Sequence, residues 1–168
     1  MIALVMALVI SSCGGSDSTA GTNDGTTEEP TLNPGEPPPG TPEPGSRVSS
    51  GTPSDFGSVA VDQVGFTLYH FDKDKKNSGK SACYGKCEKV WSPYLTLGKP
   101  EVMVRAKAPL LGTIKRKDGT TQITYGGWPM YTLEGDPSAG IGGVGREDFG
   151  GKWYPVSING EPVYNAGK

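Results

Sequence analysis

The chain has 168 residues, including 26 glycines, 15 prolines, three cysteines and one histidine, and 16 basic against 18 acidic side chains leave a net charge of −2. A lone histidine argues against a serine or cysteine hydrolase, whose nucleophile needs an imidazole base beside it. No basic stripe is interleaved with stacking aromatics, which argues against a nucleic-acid partner, and the length allows one domain with an appendage.

Residues 1–12 form an apolar run, too short for a bilayer-spanning helix of roughly 20 residues. They read as the hydrophobic region of a secretory signal, although no Lys or Arg precedes them. The ending Ile10-Ser11-Ser12-Cys13 resembles a bacterial lipobox. That resemblance implies cleavage before Cys13 and a diacylglycerol on its sulfur, an anchor that needs no transmembrane helix. Gly14 in place of an aspartate favours the outer membrane in a cell that has one.

Residues 13–55 read as a tether carrying the lipidated Cys13. Pro30, Pro34, Pro37, Pro38, Pro39, Pro42, Pro44 and Pro53 stand among Gly, Ser, Thr and Glu. Such a stretch buries too little apolar surface to offset the entropy of ordering it. Its reach grows at roughly 5–6 Å times the square root of residue number where it is flexible. The tether is acidic, which leaves the remainder mildly basic.

Residues 56–168 contain every aromatic side chain and allow one modest core. Alternating apolar positions predict a strand over 58–64, broken at Gly65, and a second, aromatic-rich strand over 66–71. The 72–80 stretch, with Lys73, Lys75, Lys76 and Lys80 between Asp72 and Asp74, reads as a solvated loop. A short helix is predicted within 81–90, capped by Ser81 and stopped at Trp91-Ser92-Pro93. A strand is possible over 101–105. Residues 111–117 run into Asp118-Gly119, a hairpin signal. Strands over 121–125 and 128–133 mirror the first two, 136–151 is a glycine-rich loop, and 153–158 with 161–164 make a closing hairpin. The expected fold is a mainly β domain with one short helix.

That domain contains an internal duplication. Gly65-Phe66-Thr67-Leu68-Tyr69-His70-Phe71-Asp72-Lys73-Asp74 returns as Gly127-Trp128-Pro129-Met130-Tyr131-Thr132-Leu133-Glu134-Gly135-Asp136, 62 positions later. Gly57 with Gly119, Trp91 with Trp153 and Pro93 with Pro155 keep the same offset, so half-repeats span about 57–95 and 119–157. Tyr69, Trp91, Tyr131 and Trp153 are expected in two equivalent packing clusters. Asp74 and Asp136 are expected to cap the turns after their strands through carboxylate-to-backbone bonds.

Cys83 and Cys87 in an exported domain are most simply a disulfide, with Gly85 letting the backbone bend between them. The alternative is redox or copper chemistry at Cys83, Cys87 and His70, with Met103 and Met130 as further soft ligands. Otherwise His70 is expected as a partly exposed strand residue. An EF-hand reading of Asp72, Asp74 and Asn77 fails because Lys76 falls at the fifth position. Gly142-Gly143-Val144-Gly145 lacks the strand–helix context of a phosphate loop. No nucleophile–base set is visible, so no catalytic site and no cofactor are expected.

Tyr69-His70-Phe71-Asp72-Lys73-Asp74 matches a Tyr-x-aromatic-x-x-Asp motif, and residues 131–136 match it except that Leu133 replaces the aromatic. With Cys83 to Cys87, Trp91-Ser92-Pro93, Gly119, Gln122, Pro129 and Trp153, the chain resembles a bacterial family of predicted lipoproteins known as the secreted repeat family. The resemblance implies an exported, membrane-anchored protein and supplies no activity. The resulting expectation is a lipid-anchored protein of the cell envelope, its domain facing periplasm or exterior. It is a non-enzymatic binding or structural module with an unidentified envelope partner, contacting the membrane through its lipid.

Overall fold

The computed structural model describes residues 42–165. The signal, Cys13 and the tether up to residue 41 lie outside the described residues. Eleven short strands follow in order: β1 (Arg47–Gly51), β2 (Val59–Val61), β3 (Tyr69–Phe71), β4 (Trp91–Pro93), β5 (Glu101–Val102), β6 (Leu111–Lys115), β7 (Thr121–Tyr125), β8 (Trp128–Pro129), β9 (Tyr131–Leu133), β10 (Glu147–Asp148) and β11 (Gly151–Pro155). The mainly β expectation holds.

Local chemistry explains the reversals. Asp62 Oδ1 accepts from the backbone N–H groups of Val64, Gly65 and Phe66 at 3.0, 2.8 and 2.8 Å, folding the chain back after β2. Gly65 sits there at φ 101°, a conformation costly for any side chain. The Asp-Gly signal makes the β6–β7 hairpin, with Arg116 N–H donating to Thr120 O at 2.9 Å and Gly119 at φ 85°.

Two expectations are corrected. Residues 81–90 form turns, not a helix, and 3-10 turns at Ser54–Phe56 and Ala108–Leu110 are the helical segments of the described residues. Gly85 at φ 64° interrupts any helical ladder there. The folded part also begins earlier than residue 56. β1 pairs antiparallel with β2 and parallel with β5, and its Val48 is fully buried. Arg47-Val-Ser-Ser-Gly carries one large apolar side chain, so backbone ladders rather than a hydrophobic pattern hold it in place.

The duplication appears as an interlocked sheet. Its strand order is β10-β11-β3-β9-β4. At its centre Tyr69 faces its own equivalent, Tyr131, across the β3–β9 pair. Outside them, Trp153 registers with Phe71, and Trp91 registers with Leu133. Each repeat's last strand therefore pairs with the other repeat's central strand. The exchange continues outward, where Val156 N–H donates to Leu68 O at 3.1 Å and Tyr94 N–H to Met130 O at 2.9 Å. Neither repeat completes this sheet by itself.

Candidate functional site

The motif side chains converge on this junction. Tyr69, Phe71, Trp91, Tyr131, Leu133 and Trp153 share one buried cluster with Cys83 and Cys87, rather than forming two separate clusters. Trp91 and Trp153 stack with centroids 4.0 Å apart and planes 1° from parallel. Phe71 stacks on the far face of this pair, 4.2 Å from Trp153. Leu133 registers opposite Trp91 at the position that Phe71 holds against Trp153. Tyr69 meets Trp91 edge-on at 5.4 Å, and Tyr131 meets Trp153 edge-on at 5.1 Å, the arrangement the ring quadrupoles favour.

The spacing of tyrosine and aspartate in the motif acquires a reason here. Tyr69 Oη donates to Asp136 Oδ2 at 2.7 Å, and Tyr131 Oη donates to Asp74 Oδ2 at 2.8 Å. Each tyrosine thus binds the aspartate of the other repeat. The second carboxylate oxygens hold backbone: Asp74 Oδ1 accepts from Ala82 N–H at 2.6 Å, and Asp136 Oδ1 from Gly142 N–H at 3.2 Å. The expected carboxylate-to-backbone bonds exist, but they fasten loops six and eight residues ahead, beneath the partner tyrosine. Burial, joined by the neighbouring carboxylate, holds both phenols well above their ordinary pKa.

A buried cation extends the network on one side only. The Arg116 side chain is fully buried, and its Nη1 donates to Ser81 Oγ at 3.1 Å and Gln122 Oε1 at 2.8 Å. Its Nη2 donates to Cys83 O at 3.0 Å and Glu88 Oε2 at 2.7 Å. Ser81 Oγ lies 2.8 Å from Tyr131 Oη, joining arginine, serine, tyrosine and Asp74 in one chain of bonds. Arg116 was not singled out from the sequence. The available signal was period two, since Ile114 and Arg116 share one face of a strand entering a hairpin.

Cys83 and Cys87 are bonded to each other, with Cα atoms 5.3 Å apart, and both are buried in the aromatic cluster. Closing so small a ring stabilises by about 2 kcal/mol in a chain-entropy account. The double variant Cys83→Ala/Cys87→Ala is expected to lose about that much in denaturant titration. Cys83 and Cys87 should show no free thiol with or without denaturant, and should be released only when reductant acts on the unfolded chain, which thiol counts under each condition check. Free thiols that appear under mild reductant without unfolding would contradict a structural role.

His70 is buried rather than partly exposed, and it points away from the cysteines. On β3 it alternates with Tyr69 and Phe71 and packs instead on Trp128, ring centroids 4.7 Å apart, and on Tyr154 at 6.0 Å. The alternative set of His70, Cys83 and Cys87 is therefore not assembled. Among the described residues no group of three or more His, Cys, Asp or Glu side chains is placed to hold a metal ion.

Burial moves two buried groups in opposite senses. It lowers the His70 pKa to about 4 from an ordinary 6.5, and it raises Asp74 to about 6 from 3.8. A depressed histidine contributes stability that is present above pH 6.5 and is lost as pH falls toward 4. A raised aspartate contributes stability that is present below pH 3.8 and is lost as pH rises through 6. The two slopes oppose each other across the same window. His70→Gln is expected to leave a protein whose stability falls as pH rises from about 4 to about 6. Asp74→Asn is expected to leave one whose stability falls as pH drops from 6.5 toward 4. Thermal melts of both variants across this range check the signs, and two identical profiles would contradict them.

A polar groove runs beside the 75–79 loop. One cleft of about 390 Å³ is lined by residues including Lys76, Asn77, Gly112, Thr124, Gly127 and Asn159. A second of about 210 Å³ shares Asn77, Thr124 and Gly127 with it and reaches Lys75 and Ser78. The lysines here are exposed, as expected of a solvated loop.

These features define a duplicated, strand-exchanged β domain built around reciprocal tyrosine–aspartate pairs. A family described as a secreted repeat of unknown function matches the chain twice, over residues 52–94 and 112–157. The matches cover just over half of the chain, and the chain belongs to that family. No curated protein and no solved structure matches it. Among the described residues no helix is long and apolar enough to cross a membrane.

Proposed function

We propose that this is a lipid-anchored extracytoplasmic protein whose domain is a non-enzymatic binding or structural module of the cell envelope. Membership of a secreted-repeat family supports export. The lipobox-like Ile10-Ser11-Ser12-Cys13 supports anchoring through Cys13. The observation that carries the non-enzymatic reading is the use made of the motif. Tyr69, Asp136, Tyr131 and Asp74 face inward and bind each other across the two repeats. Arg116 is likewise committed to the loop it fastens. Groups that would otherwise be candidates for acid–base chemistry serve to join the halves.

The test is the intact mass of the mature protein recovered from its own membranes, beside a Cys13→Ser variant. A diacylglycerol on Cys13, with the variant found free of the membrane, supports anchoring. A mature chain lacking both lipid and Cys13 contradicts it. Stoichiometric metal in the same preparation contradicts the module reading.

A further inference from the structure

We propose that the groove beside the 75–79 loop binds an anionic glycan, a hydroxyl-rich chain carrying carboxylates or phosphates. This deepens the binding-module reading and rests on it for its context at the envelope. The shape comes first. The two clefts share lining residues and so continue into one another, which suits a chain passing through rather than a compact apolar ligand held in a hole.

The lining chemistry fits hydroxyl groups. Asn77, Asn159 and Thr124 offer amides and a hydroxyl that both donate and accept, as sugar hydroxyls do. Asn77 is held for the task at φ 58°, with its N–H donating to Gly127 O at 2.9 Å. Gly127 has no room for a side chain, since a Cβ there would lie 2.1 Å from Asn77 Oδ1. The asparagine and the groove wall are thus fitted closely to each other. Asn159 Oδ1 accepts from Lys107 Nζ at 2.6 Å, which leaves its amide N–H groups free to donate.

The charge at the rim selects an anion. Lys76 pairs with Glu161 at 2.7 Å, whereas Lys75 has no ion pair among the described residues. The groove therefore carries a net positive charge.

Trp128 stands next to the groove through its contact with Lys76. Among the described residues, the buried side-chain nitrogens without a hydrogen-bond partner are His70 Nδ1, His70 Nε2 and Trp128 Nε1. All three belong to one pair of rings in contact. Trp128 lies between Gly127 and Pro129, which both line the groove, and Lys76 Nζ stands 5.8 Å over its ring. The three nitrogens are sealed from both clefts, so what this pair brings to the groove is the Trp128 ring under Lys76, a reporter beside the site.

The experiment is a titration of the purified full chain with a short oligogalacturonate, a phosphorylated oligosaccharide, a neutral oligoglucan of matched length and poly-L-glutamate. Calorimetry measures affinity and tryptophan fluorescence reports location. Trp91 and Trp153 are sealed in the core stack, so Trp128 is the one placed to respond. The expected result is binding of an acidic glycan, weakened about tenfold by Lys75→Gln and about tenfold by Asn77→Gly, which keeps the positive φ and removes the amide, with the unfolding midpoint little changed, as loss of one charge-assisted bond implies. Binding should also weaken with salt. A response to the oligogalacturonate alone, to the phosphorylated sugar alone, or to both supports the proposal and names the acidic group. Equal binding of polyglutamate, equal binding of the neutral glucan, or no glycan binding overturns it. Absence of lipid on Cys13 would leave these titrations unchanged, so the two proposals fail separately.

Discussion

Replacing Trp153 with alanine is expected to destabilise the domain by about 3–5 kcal/mol, the range for emptying a large aromatic site in a core. Trp153 is fully buried, with Trp91 stacked on one face, Phe71 on the other and Tyr131 against its edge. Such a loss is a large share of the roughly 5–15 kcal/mol that separates folded from unfolded domains. The cavity would lie where strands of both repeats meet, so both halves should lose structure in one transition. Urea unfolding followed by circular dichroism measures this. The neighbouring Lys152→Ala, on an exposed strand position, is expected to change stability by less than about 0.5 kcal/mol. Equal stability of the two variants would contradict the placement of the stack at the centre of the fold.

The second large effect is expected at Arg116. Removing one partner from a buried charged network costs about 3–5 kcal/mol, because the groups left behind have no water to turn to. Arg116→Met fills the stem's space and leaves Ser81 Oγ, Gln122 Oε1 and Cys83 O without their donor. An apolar substitute is tolerated where all partners of a network are replaced together, and here they remain. Glu88→Gln provides the contrast. Glu88 is about one-third exposed, so loss of its charge is expected to cost less than about 1 kcal/mol. A methionine variant as stable as the parent would show that the arginine's bonds contribute little net stability.

The sequence made some of this visible and hid the rest for physical reasons. Equal spacing of Tyr, Trp, Gly and Pro exposed the duplication, because those residue types resist substitution by chance. Asp118-Gly119 announced the β6–β7 hairpin through its turn chemistry. The pairing of the halves was hidden. An offset states which positions are equivalent, and it is silent on whether a tyrosine meets the aspartate of its own copy or of the other. The same limit led to two clusters being expected where one is found. The tether reading reached too far because β1 is held by ladders on both sides, which composition does not record. The sequence of β3 by itself carries no sign that His70 is covered. Trp128 and Tyr154, which cover it, arrive from the other repeat.

The central claim is that the two repeats interlock, each tyrosine bound to the other repeat's aspartate. Double-mutant cycles at pH 7 test it most directly, using Tyr→Phe at 69 and 131 with Asp→Asn at 74 and 136. The crossed pairs, Tyr69 with Asp136 and Tyr131 with Asp74, are predicted to couple by about 1–3 kcal/mol, the range for a hydrogen bond to a charged group. The pairs within one motif, Tyr69 with Asp74 and Tyr131 with Asp136, are predicted to add within about 0.5 kcal/mol. Coupling inside each motif with additivity across them would mean that the halves fold separately, and would contradict the interlocked structure.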